Sequence, residues 1–108
     1  MSIKSIALIA ATVALTAGAA SANQFAFGED LDAGSTLELG TVTANGAGFV
    51  EIYDYFGGTR GDLLGVEEVR AGANTNVKVN VGIRGNNDVL AVLNVNGQEV
   101  LAKEYDID

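Results

Sequence analysis

The sequence predicts an all-β protein: an antiparallel β-sandwich of immunoglobulin-like type with six or seven short strands, a small barrel being the alternative. Three observations predict it. Apolar residues recur at every second position, which lines them up on one face of a strand, and helical periodicity is missing. Glycine and asparagine punctuate the apolar runs at intervals of about 8–12 residues, the spacing of short strands joined by turns. Connections that short leave no room for a parallel crossover, so antiparallel pairing is expected.

The elements follow in order. Thr36 to Thr43 is a strand with Leu37, Leu39 and Thr41 turned inward. Asn45-Gly46 then reads as a hairpin link to Gly48–Tyr55. In that strand Phe49, Glu51, Tyr53 and Tyr55 share one face, while Val50, Ile52 and Asp54 share the other. Its three aromatics make the first face the expected core side. Gly57-Gly58-Thr59-Arg60-Gly61 is a glycine-rich loop, and Leu63, Leu64 and Val66 form a short strand beyond it. After a turn at Ala71-Gly72-Ala73-Asn74, Val77, Val79, Val81 and Ile83 alternate with Lys78, Asn80 and Gly82, giving one buried and one wet face. The loop Gly85-Asn86-Asn87-Asp88 leads to Val89–Val95, which is apolar on both faces as a central strand is. Asn96-Gly97 suits a turn whose two central residues need positive φ, so a tight hairpin joins this strand to Gln98–Lys103.

Residues 1–22 read as an export signal. Lys4 supplies the positive charge, Ile6 to Gly18 is small and apolar, and Ala20-Ser21-Ala22 offers a signal-peptidase site. The apolar run falls short of the about 20 residues that a spanning helix needs. The expected organisation is thus a signal peptide over 1–22, an acidic segment over 23–34 and a sandwich domain over 35–108, in the periplasm or outside the cell. Without cysteine there is neither a disulfide nor a cysteine to lipidate, and there is no proline, so packing and backbone hydrogen bonds carry the fold. Losing Lys4 with the signal leaves five basic residues against 14 acidic ones, a net charge of −9. That sign opposes nucleic-acid phosphates and anionic membrane surfaces. Divalent cations and basic proteins remain compatible partners.

From Ser35 onward an ordered series of elements carries a family resemblance: Leu39-Gly40-Thr41-Val42-Thr43, then Asn45-Gly46 into Gly48-Phe49-Val50-Glu51-Ile52-Tyr53-Asp54, then Leu63-Leu64-Gly65-Val66, Ala71-Gly72, Asn76-Val77-Lys78-Val79 and Val89-Leu90-Ala91-Val92-Leu93. The chain resembles a group of small exported prokaryotic β-domains of unknown function, many of them in acidic proteins of salt-adapted organisms. The resemblance implies export and a β-fold. It also implies histidines near Tyr53 and Asn94, positions that carry none here, because the chain has no histidine.

Without histidine or cysteine the chain lacks the commonest proton shuttle, the strongest nucleophile and the preferred zinc ligands, which argues against an enzyme. Ser35 is the only serine past residue 22, and Glu51 and Asp54 fall on opposite strand faces. Calcium needs only oxygen ligands, and acidic residues cluster at both ends: Glu29, Asp30 and Asp32 at one, Glu104, Asp106 and Asp108 at the other. If the ends pair, the two clusters could share an ion; otherwise they are frayed tails. Tyr55, Phe56 and Arg60, around the glycine-rich loop, are the candidate partner contacts. Arg60-Gly61-Asp62 matches a short adhesion triplet, whose plainer reading is a turn. Self-assembly through an edge strand with few charges is a third possibility.

Overall fold

A computed structural model describes residues 23–26, 28, 30–82 and 87–107. Among them are eight strands and no helix: β1 (Gln24–Phe25), β2 (Asp30–Leu31), β3 (Thr36–Ala44), β4 (Gly48–Phe56), β5 (Thr59–Val69), β6 (Gly72–Asn80), β7 (Val89–Val95) and β8 (Gln98–Ile107). The six longer strands are those the alternation predicts. The two short ones lie in what the sequence suggested was only an acidic lead-in.

Two sheets pack against each other, ordered β1-β3-β6 and β2-β8-β7-β4-β5. This is a sandwich with immunoglobulin-like strand order, the segment before β3 contributing one short strand to each sheet. One pairing corrects the antiparallel expectation: β2 runs parallel to β8, with Asp30 opposite Asp106 and Leu31 opposite Ile107. The short-connection argument does not apply to this pair, because the whole domain separates the two strands.

The turns show which glycines shape the fold. Asn96 (φ 54°) and Gly97 (φ 82°) both occupy the left-handed region, closing a hairpin that pairs Val95 with Gln98. Gly57 (φ 61°) and Gly58 (φ 80°) close a second one, so Thr59–Gly61 belong to β5, which is 11 residues long rather than a short strand. Asn45-Gly46 is not a hairpin. It carries the chain from one sheet to the other, held by an Asn45 N–H bond to Asn23 Oδ1 (2.8 Å) and an Asn96 N–H bond to the Ala47 carbonyl (3.3 Å).

A second crossing runs from β5 to β6. There the Arg70 N–H donates to Asn74 Oδ1 (3.1 Å), while Asn74 Nδ2 donates to the carbonyls of Arg70 (2.9 Å) and Val42 (3.1 Å). These bonds satisfy the corner's backbone, so Gly72–Asn74 extend β6 instead of forming the expected turn. Farther along β5 the backbone at Gly65 packs directly on the Asn80 carbonyl of β6, which draws this edge of the two sheets together.

Alternate residues fill the gap between the sheets, Val77 and Val79 from β6 and Val89, Ala91, Leu93 and Val95 from β7. On β3 Leu37 and Leu39 do so, but register shifts about Gly40 then bury Val42 and leave Thr41, expected inside, exposed. Tyr105 and Ile107 close one end, and Phe25 meets Tyr105 edge-on with ring centroids 6.3 Å apart. On β4 the structure reverses the expected faces. Val50 and Ile52 are fully buried, opposite Leu93 and Ala91, while the aromatic face turns outward. Compact branched side chains fill the narrow space between sheets, and ring count was a poor guide to which face lies inside.

Candidate functional site

The five-stranded sheet has its second face on solvent. Register sets Phe49, Glu51 and Tyr53 of β4 opposite Glu68, Val66 and Leu63 of β5, and opposite Asn94, Val92 and Leu90 of β7. Direct cross-strand partners share a face, so all nine side chains lie outside. Phe49 is 46 % exposed, Leu63 51 % and Val66 45 %, with Val100 of β8 at 38 % beyond them. Single exposed apolar residues are ordinary, but a row of neighbours on one sheet face marks a surface suited to contact. Val92, beneath this row, is fully buried yet outside the inter-sheet core. Its cover comes from the outer side chains of its own sheet, where Glu51 and Ala102 stand opposite it.

A polar strap crosses the face. Arg60 of β5 reaches past β4 and β7 to Glu99 of β8, donating from Nη1 to Oε2 (2.9 Å) and from Nη2 to Oε1 (3.2 Å). The guanidinium carbon lies 4.7 Å from the centroid of the Tyr53 ring, and Tyr53 Oη donates to Glu51 Oε1 (2.8 Å). Glu99's hydrogen bonds push Arg60 further up its already high range. Burial, and then the hydrogen bond to the Glu51 carboxylate, raises the Tyr53 phenol. By register Glu51, Glu68 and Glu104 lie on this face, and Glu99 joins them in the strap with Arg60.

The predicted partner contacts lie about the β4–β5 hairpin, at one end of the sheet. Tyr55 pairs with Arg60 across the hairpin, and Phe56 stands 73 % exposed at its tip. Arg60-Gly61-Asp62 is part of strand β5, with Arg60 held by Glu99 and Tyr53, so the triplet is not presented in an extended loop. Sequence reasoning missed Phe49, Leu63, Val66 and Val100. The available signal was β4 itself, since a strand apolar on both faces must leave one of them outside a two-layer fold.

The chain ends do pair, through β2 and β8, so Asp30 and Asp106 sit in strands rather than in frayed tails. The carboxylates that converge, however, are those of Asp88, Glu104 and Asp106, whose oxygens lie within 4.8 Å of one another. Asp88 was read only as part of a loop. Counting back along both arms from the two-residue Asn96-Gly97 turn places it beside Glu104–Asp106. Asp30 and Asp32 instead line an open hollow of about 310 Å³ with Thr36 and Glu38. Glu29 and Asp108 lie outside the described residues. Three oxygen donors in reach of one point suit a hard divalent ion.

Comparison with known proteins finds no matching family model, no matching curated protein and no matching solved structure.

Proposed function

We propose that this protein is an exported, non-catalytic binding module that docks a partner on the outer face of its five-stranded sheet. One observation carries the reading: Phe49, Leu63 and Val66 stand about half exposed as neighbours on a face that the core does not use. Tyr55 extends the same surface towards the hairpin tip, where Phe56 stands exposed. The residue inventory supports a non-catalytic role, since the sequence holds neither histidine nor cysteine and Glu51 and Asp54 fall on opposite faces of β4. Affinity purification from the native source tests the reading. Joint Phe49→Ser and Val66→Ser substitution abolishes retention of the partner, whereas Glu38→Ser with Lys78→Ser on the smaller sheet leaves it unchanged. Equal retention by both double variants contradicts the proposal.

The convergence of Asp88, Glu104 and Asp106 favours a second reading, divalent-cation binding at the sandwich edge. Calorimetric titration with calcium tests it: heat that disappears in Asp106→Asn supports it. No heat and no thermal shift at millimolar calcium removes it.

A further inference from the structure

On the reading that the outer face is a docking surface, we infer that its partner is a cationic polypeptide segment, with lysine or arginine side chains flanking apolar anchors. The charge pattern selects this class. Phe49, Leu63 and Val66 lie among Glu51, Glu68, Glu99 and Glu104, and Arg60 is held by a two-pronged bond to Glu99. An approaching partner therefore meets apolar contacts on a face of net negative charge, which rewards opposite charge in both encounter rate and register. The exposed Phe49 ring also offers a face to an arginine or lysine.

The same pattern disfavours the obvious rival. In a two-fold dimer through this face each copy presents the same acidic patch, so like charge faces like charge on a chain of net charge −8. Phosphate-bearing ligands are disfavoured by the same sign.

The test uses the full chain and three synthetic peptides: alternating lysine and leucine, the same with glutamate for lysine, and the same with serine for leucine. Nuclear magnetic resonance locates each peptide on the protein and fluorescence anisotropy gives its affinity. The lysine–leucine peptide shifts the amides of Phe49, Leu63 and Val66 and weakens as salt is raised, while the other two peptides bind at least about tenfold more weakly. Glu51→Gln with Glu68→Gln weakens it about tenfold, whereas Asp32→Asn with Glu38→Gln, the same charge change elsewhere, changes it less than about twofold. An equal loss in both pairs of variants overturns the inference, because net charge alone then explains binding. A glutamate–leucine peptide that binds this face equally well overturns the cationic class but leaves the docking surface standing. Lysine–leucine shifts lying elsewhere, or none, overturn the inference too; whether docking itself fails is then read from retention of the native partner by Phe49→Ser with Val66→Ser. A concentration-dependent dimer that Val66→Ser disperses makes the second copy the occupant and also overturns it.

Discussion

Arg60 and Glu99, 39 residues apart in sequence, meet in a two-pronged ion pair that spans the outer face of the larger sheet from β5 to β8. The pair closes over β4 and β7, where Tyr53 stacks beneath the guanidinium. Its side chains are 39 % and 42 % exposed, so solvent screens much of the attraction.

Glu99→Gln accordingly lowers stability by less than about 1 kcal/mol in urea unfolding, and the difference shrinks as salt is added. A loss of several kcal/mol would make the strap part of the fold rather than a feature of the surface.

Tyr105 behaves in the opposite sense. It is buried, and among the described residues its hydroxyl finds no hydrogen-bond partner. Tyr105→Phe therefore removes an unsatisfied polar atom without breaking a bond, and stability stays within about 1 kcal/mol of the parent or rises. A drop of about 2 kcal/mol or more in chemical denaturation would reveal a partner for the hydroxyl.

The same residue gives a pH signature. Burial pushes the Tyr105 phenol from the ordinary 10.0 up to about 12, which favours its neutral form in the folded state. A group whose folded value is raised contributes stability that is complete below the unfolded value and lost as pH rises towards the folded one. Stability thus declines between pH 10.0 and about 12, and Tyr105→Phe removes part of that decline. Ultraviolet titration of tyrosinate shows a late-ionising ring that Tyr105→Phe removes; an unchanged late phase in that variant would contradict the burial.

Much of the fold was legible in the sequence, and the reasons are local. Val77 and Val79 fix a strand face by period alone, and Asn96-Gly97 fixes a turn by its φ requirement. Relations between distant segments were harder to read. Asn45-Gly46 looks like the same signal, yet whether the next strand stays in the sheet or crosses depends on partners far along the chain. The faces of β4 failed for a related reason: Phe49 and Val50 are both apolar, and only pairing with β7 decides which one meets Leu93. For the site, Tyr55, Phe56 and Arg60 were legible as an aromatic–cation group beside glycines. The row Phe49–Val66–Leu63 depends on the β4–β5 register, and its irregularity between Ile52 and Tyr53 has no sequence marker.

The corner between the sheets gives a further prediction. A Cβ added to Gly65 would overlap the Asn80 carbonyl and come within 2.9 Å of Val79 Cγ1. Neither strand can yield without loosening the core, so Gly65→Ala costs about 1–3 kcal/mol in denaturant unfolding. A neutral result would mean that β5 does not close on β6.

The central claim, that Phe49 and Val66 serve a partner rather than the fold, is tested most directly by urea unfolding of the chain carrying both Phe49→Ser and Val66→Ser beside Ile52→Ala. The account predicts a loss below about 1 kcal/mol per outer site against about 2–5 kcal/mol for the buried isoleucine. Losses at Phe49 and Val66 as large as that at Ile52 would show that this face belongs to the core, and would contradict it.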